Sequence, residues 1–63
     1  MQPHQERVVT EKEELDAKIS ALDSFLGGQV FASLDVGEQD RLVRQHKYMT
    51  QYSSVLSERI SNF

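Results

Sequence analysis

Two long runs of apolar residues at helical spacing constrain this chain more than any other feature. The first run has a member every three or four residues: Val8, Lys12, Leu15, Ile19, Leu22 and Leu26, with Phe25 alongside. Lys12 is its one polar member. The second run consists of Leu42, Met49, Leu56, Ile60 and Phe63, which share one face at helical spacing. Stripes of this period are the buried faces of amphipathic helices. The sequence therefore predicts an all-α fold with two long helices.

Local signals set the expected helix boundaries. Residues 1–4 are expected to be frayed, and the first helix to run over about 5–26, until Gly27 closes it in the left-handed conformation. A short helix is expected over about 29–34, and its apolar residues Val30, Phe31 and Leu34 would plug the end of the hairpin. Asp35 and Glu38 form a capping-box pattern, which predicts a second long helix over about 36–61.

Two long helices joined by a short corner piece predict an antiparallel helical hairpin, formed as one domain over residues 1–63. A chain of 63 residues with no Cys has a small core and no disulfide to support it. One hairpin also leaves several large side chains partly exposed, namely Phe25, Tyr48, Val55 and Phe63. We therefore expect hairpins to assemble into a homo-oligomeric helix bundle.

Composition argues against several classes of function. There is no long apolar run for a membrane span, and the polar start MQPHQER is not a signal peptide, so a cytoplasmic location is expected. The net charge of −3 argues against DNA or RNA binding. No metal-ligand spacing, phosphate loop or nucleophile motif occurs, so we expect no metal, no cofactor and no catalysis.

A second stripe lies on the second long helix, roughly 80° from the apolar one at 100° per residue. This Tyr/Arg flank consists of Arg41, Gln45, Tyr48, Tyr52, Val55 and Arg59. Arg matches phosphate oxygens, Tyr offers a stacking surface and Gln can donate to and accept from a base edge. The flank therefore suits a flat, anionic ligand. Tyr and Arg also anchor protein interfaces, so a subunit contact is the alternative interpretation.

Two lysines extend the candidate binding set. Lys12 occupies a seam position of the first helix, where its ammonium either reaches water or enters a shared pocket. Lys47 lies beside the Tyr/Arg flank in a locally basic segment, residues 41–52. His46, at the border of the apolar stripe, is interpreted as a half-buried packing residue in preference to a base or ligand. Asp16 and the neighbouring glutamates are interpreted as a solvated helix face.

Three patterns resemble a family of small helical proteins encoded by bacteriophages and prophages. They are E-K-x-E-L-D-x-K-I-x-x-L at 11–22, E-Q-x-R-L-x-x-Q-x-x-x-M-x-x-Y at 38–52 and L-x-x-R-I at 56–60, with Phe31 between the first two. The resemblance covers most of the chain, from about residue 5 to the end.

Phage kinship implies accessory roles within the host cell. The first is counter-defence, in which a helical oligomer sequesters a cyclic nucleotide immune signal of the host. Bases would then stack on Tyr48 or Tyr52 and cations would meet the phosphates. The alternatives are a protein-binding inhibitor or adaptor acting on a host defence or regulatory protein, and a small structural or assembly component of the phage.

Overall fold

The structure, a computed structural model, describes residues 1–63 and consists of three helices. These are α1 (Pro3–Leu26), α2 (Gln29–Ser33) and α3 (Val36–Ser61), with no strand. Helices α1 and α3 pack against each other as an antiparallel hairpin, and α2 forms the corner between them. The predicted all-α fold of two long helices and one short helix is confirmed.

Helix α1 begins two residues earlier than the predicted start, because proline is well suited to the first turn of a helix. Pro3 has no backbone N–H that would need a partner there, and its ring holds φ near the helical value. Gln2 is the N-terminal cap, with extended backbone angles, and its N–H donates to Oε1 of Gln5 at 3.0 Å. The expectation of a frayed segment over residues 1–4 was therefore wrong for Pro3 and His4, which lie within the helix.

Helix α1 ends at the predicted glycines, but the conformation of the end is different from the predicted one. Gly27 has φ −88° and ψ 2°, and no residue in the chain has positive φ. The turn is closed by the N–H groups of Gly27 and Gly28, which donate to Ser24 O and Phe25 O at 3.3 and 3.0 Å. The predicted left-handed cap is wrong because these tighter bonds satisfy the last carbonyls without it.

This ordinary backbone conformation makes a prediction about Gly27. A Cβ atom there would meet nothing nearer than Ser24 O at 3.8 Å, which is normal van der Waals contact. We expect Gly27→Ala to raise the free energy of unfolding by about 0.4–1 kcal/mol, because alanine restricts the unfolded chain. Urea denaturation followed by circular dichroism measures this at matched protein concentration. Gly28→Ala is the comparison. Its Cβ atom would lie 3.4 Å from Phe25 O, so this substitution should raise the free energy of unfolding by less. A clear loss of stability in Gly27→Ala would contradict the structure.

The corner helix α2 is held by one aromatic contact and one amide. The rings of Phe25 and Phe31 meet edge to face, with centroids 6.4 Å apart and planes at 78°. Nε2 of Gln39, on α3, donates to Phe31 O at 2.9 Å. The helix ends at Ser33, one residue before the predicted end, and Val30 is exposed and does not plug the hairpin. On a helix of little more than one turn, only part of the apolar set can face inward.

Helix α3 begins at the predicted residue, with half of the predicted capping box. Oδ2 of Asp35 accepts from the N–H of Glu38 at 3.1 Å, as expected of an N-terminal cap. The reciprocal bond is not formed, because Oε1 of Glu38 accepts from Nε of Arg41 at 2.9 Å instead. The start of the helix is thus determined by Asp35, and Glu38 is committed to an ion pair.

The core of the hairpin is narrow. The molecule measures 46 × 14 × 13 Å, and its radius of gyration of 14.5 Å exceeds the roughly 10.6 Å of a compact domain of this length. Only three apolar side chains are buried, Val8, Leu15 and Leu56, and Leu56 alone is fully enclosed. Ile19, Met49 and Ile60 pack partly against them. The two predicted apolar stripes do meet, although Phe63, beyond the end of α3, stays exposed.

Candidate functional site

One face of the hairpin is tied together by a polar cluster that joins α1 to α3. Nζ of Lys12 donates to Oδ2 of Asp16 at 2.8 Å and to Oγ of Ser53 at 2.9 Å. Oγ of Ser53 in turn donates to Oδ1 of Asp16. Ser53 is buried, so its hydroxyl needs these partners. The cluster fixes the level at which the two helices meet.

The cluster gives Lys12 and Asp16 partners that the sequence did not predict. The ammonium of Lys12 is engaged by Asp16 and Ser53, and its side chain is only 25% exposed. Asp16 is not simply part of a solvated acidic face, since it accepts a hydrogen bond from the other helix. The hydrogen bond from Lys12, and then that from Ser53, lower the pKa of the Asp16 carboxyl below its ordinary value.

The lowered pKa predicts the acid sensitivity of the hairpin. A carboxyl with a depressed pKa in the folded state stabilises above its unfolded pKa of about 3.9, and this contribution is lost as the pH falls through the folded value. We expect the midpoint of thermal unfolding to fall more steeply below pH 4 for the wild type than for Asp16→Asn. Glu13→Gln, at an exposed position of the same helix, should keep the wild-type profile. Parallel profiles for wild type and Asp16→Asn would rule out this role.

A second cross-helix pair lies on the same face. Nε2 of His46 is 3.3 Å from Oδ1 of Asp23, and the His46 side chain is 25% exposed. This agrees with the expected half-buried position, and it adds a polar partner on α1. One side of the α1 apolar stripe carries Lys12, Asp16 and Asp23. Their partners Ser53 and His46 likewise share one side of the α3 stripe. The interhelical polar contacts therefore mark one face of the hairpin.

The Tyr/Arg flank lies on the opposite side of the α3 stripe and is open to solvent. The exposed fractions are 59% for Tyr48, 44% for Tyr52 and 51% for Val55. In an antiparallel hairpin, the corresponding side of α1 carries Glu11, Glu14, Lys18 and the exposed Phe25. This face thus combines stacking surfaces with charges of both signs, and no part of the hairpin covers it.

Charge on the flank is partly neutralised within α3. Arg41 is paired with Glu38, and neighbouring Arg44 pairs with Asp40 at 2.9 Å. Arg59 has no carboxylate within ion-pair distance. Nε2 of Gln45 lies 3.8 Å from the sulfur of Met49. The segment over residues 41–52 is therefore less basic than its composition indicates, and Arg59 is the flank cation most available to an anion.

The predicted ligand set separates into three places. Arg41, Gln45, Tyr48, Tyr52 and Arg59 share the flank, as the helical spacing predicted. Lys12 lies on the polar face of the hairpin, bound to Asp16 and Ser53. Lys47 is exposed and lies roughly 155° from the middle of the α3 apolar stripe, on the side of α3 away from α1. The structure does not bring these two lysines together with the flank.

A shallow groove on α1 is unsuited to an anion. It is lined by Pro3, Glu6, Arg7, Thr10, Glu11 and Glu14, none of them a hydrophobic residue. Three carboxylates against one guanidinium repel phosphate, and the groove offers no ring for stacking. No group of three or more His, Asp or Glu side chains is placed to hold a metal ion. None of the helices is long and apolar enough to cross a membrane.

These features define a class of protein: a small helical hairpin with an exposed Tyr/Arg flank along one helix. Comparison with known proteins gives the family. The chain belongs to the Sequestin family, which it matches over residues 2–62. It is 36% identical over 63 residues to the uncharacterized 7.5 kDa protein in the denB-rIIB intergenic region of Enterobacteria phage T4, covering 100% of this chain and 98% of that relative. No solved structure matches. The predicted kinship with small phage-encoded proteins is confirmed.

Proposed function

We propose that this protein is a non-catalytic phage counter-defence protein, which binds and sequesters a cyclic nucleotide immune signal in the host cytoplasm. The observation that carries the proposal is the exposed pair Tyr48 and Tyr52 between Arg41 and Arg59 on one flank of α3. The family name Sequestin denotes sequestration, and the T4 relative supports action during phage infection. Sequestration requires only tight binding, so it needs no catalytic group.

The chemistry of the flank suits a nucleotide. Base stacking on an aromatic side chain contributes about 1–3 kcal/mol per base and tolerates any base, because every base has a π face. A guanidinium meets a phosphate with two parallel hydrogen bonds, and Gln45 can hydrogen-bond a base edge. An anion also has no competing carboxylate to displace at Arg59.

The spacing of the flank favours a ligand site shared by two copies of the chain. Arg41 and Arg59 are 18 positions apart on one helix, which separates their Cα atoms by roughly 27 Å at 1.5 Å per residue. A cyclic dinucleotide is shorter than this distance. We therefore place the ligand between subunits, where cations and rings from two chains converge.

The test is a ligand panel against the purified wild-type protein. Isothermal titration calorimetry over cyclic dinucleotides, cyclic trinucleotides and cyclic ADP-ribose isomers should give tight, saturable binding to at least one of them. Linear mononucleotides carrying the same bases serve as controls, and they should bind far more weakly. The proposal fails if no cyclic nucleotide binds at micromolar protein concentration.

The same flank also suits a protein partner, because Tyr and Arg are enriched among the anchors of protein interfaces. The adjacent apolar side chains Phe25 and Val55 favour this second candidate, an inhibitor or adaptor of a host defence protein. Affinity capture from host lysate distinguishes the two. A single host protein retained by the wild type but lost with Tyr48→Ala, together with an empty ligand panel, would favour the adaptor.

A further inference from the structure

The Tyr/Arg flank has the spacing of a coiled-coil seam. Its positions on α3 advance by four, three, four, three and four residues from Arg41 to Arg59. This alternation is the a/d pattern of a heptad repeat, which keeps one line of side chains facing a partner helix. Helix α1 does not occupy this seam, since it packs on the neighbouring stripe that contains Leu56. Helix α3 therefore carries two seams, and the second has no partner within the chain.

We propose that the partner is a second copy of this chain, packed α3 against α3 in antiparallel orientation. In antiparallel helix pairs, each a position faces a d position of the other helix. With the two-fold axis at the level of Thr50, Tyr48 faces Tyr52 of the second copy, Gln45 faces Val55, and Arg41 faces Arg59. Each of these pairs straddles Thr50 symmetrically, so one surface is complementary to itself, as a two-fold interface requires.

Two features set the register of the α3 pair: the number of seam layers that overlap and the charges at each end. Centring the pair on Thr50 uses all six seam positions of both copies, whereas a shift by one heptad leaves only four layers. At each end, Arg59, which is unpaired in the hairpin, meets the Arg41–Glu38 pair of the second copy. The Glu38 carboxylate then lies near two guanidinium groups. A parallel pairing would instead place Arg59 against Arg59, with no paired carboxylate on either copy.

The same rotation completes a four-helix bundle. The axis that exchanges the α3 helices also brings α1 over α1 of the second copy, because both α1 helices lie on the same side of the α3 pair. The facing flank of α1 carries charges of both signs, with Glu11, Glu14 and Lys18, and it includes the exposed Phe25. Square arrangements of antiparallel helices are common for chains of this kind. The bundle supplies the buried apolar surface that a core of three side chains lacks.

The assembly also specifies the ligand site. Arg41 of one copy and Arg59 of the other converge at each end of the tyrosine layers, so the dimer has two equivalent sites. This part rests on the proposed function, whereas the dimer itself does not. Each site is incomplete without the second copy, because one chain separates its two arginines by roughly 27 Å.

Cysteine cross-linking tests the geometry, because the natural chain has no Cys. Chains carrying Gln45→Cys and chains carrying Val55→Cys are mixed, equilibrated and treated with a short bifunctional thiol reagent. Both positions are exposed in the hairpin, so folding should be retained. We expect the mixed 45–55 dimer as the main product. Gln45→Cys alone should cross-link poorly, because its two copies would lie roughly 15 Å apart along the helices. Val43→Cys alone, on the far side of α3, should also fail.

Light scattering of the untreated wild type should give a mass of two chains or an even multiple. A folded monomer at micromolar concentration, or efficient cross-linking of Gln45→Cys with itself, would overturn the dimer. The proposed function fails separately: an empty ligand panel with a 45–55 cross-link leaves the dimer in place. Nucleotide binding by a monomer would retain the function and remove the two-fold interface.

Discussion

Leu56→Ala is expected to lower the free energy of unfolding by about 2–5 kcal/mol, the range for truncating a buried leucine. Leu56 is the one fully buried side chain, and it packs with Val8 and Leu15 at the centre of the hairpin. A chain of this length is stable by only roughly 3–9 kcal/mol. The substitution should therefore leave a large unfolded fraction at physiological temperature.

Thermal and urea unfolding followed by circular dichroism measure this loss. Val43→Ala is the matched control, because it also removes an aliphatic side chain from α3 but at a position that is 50% exposed. Surface substitutions of this kind change stability by within about 0.5 kcal/mol. If Leu56→Ala were as mild as Val43→Ala, the apolar stripe through Leu56 would not be the interface between α1 and α3.

Tyr52→Ala is expected to weaken nucleotide binding by about 1–3 kcal/mol, or roughly 5- to 150-fold, because it removes one stacking surface. Tyr52 is 44% exposed, so its loss should leave the hairpin folded. Calorimetry with the nucleotide identified in the panel measures the change. Tyr52→Phe keeps the ring and should keep most of the affinity, which separates stacking from hydrogen bonding by the hydroxyl.

Assembly has to be measured in the same samples, since Tyr52 also lies in the proposed two-fold interface. Light scattering of Tyr52→Ala shows whether the subunits remain together. Lost affinity with the assembly intact assigns Tyr52 to the ligand, whereas dissociation assigns it to the subunit contact. Unchanged affinity in an intact assembly would remove the tyrosine from the site. Loss of phage protection in infected cells should follow the measured affinity.

The polar cluster and the Tyr/Arg flank lie on opposite sides of the hairpin. Lys12, Asp16 and Ser53 connect the helices on one face, together with His46 and Asp23. The other face keeps its aromatic side chains exposed and its Arg59 unpaired. Polar links on one face fix the register of the hairpin without using the residues of the flank.

The sequence by itself determined the helices and the identity of the exposed flank. Helical periodicity is local, so the apolar stripes, the cap at Asp35 and the shared side of Arg41, Tyr48, Tyr52 and Arg59 follow from spacing along one helix. The resemblance to small phage proteins also depends only on residue order. For the same reason, the break at Gly27 and Gly28 was predicted correctly, although its backbone conformation was not.

Only the tertiary structure decided what depends on the register between helices. The hydrogen bonds from Ser53 to Asp16 and from Lys12 to Ser53 join residues 37 and 41 positions apart, and no periodicity in the sequence relates them. That register places Lys12, a predicted ligand contact, in an interhelical cluster with Asp16 and Ser53. Within α3, the Glu38 carboxylate accepts from Arg41 and does not complete the capping box. Where a side chain has several possible partners, distances in the folded chain decide which one it contacts. Residue order alone does not give those distances.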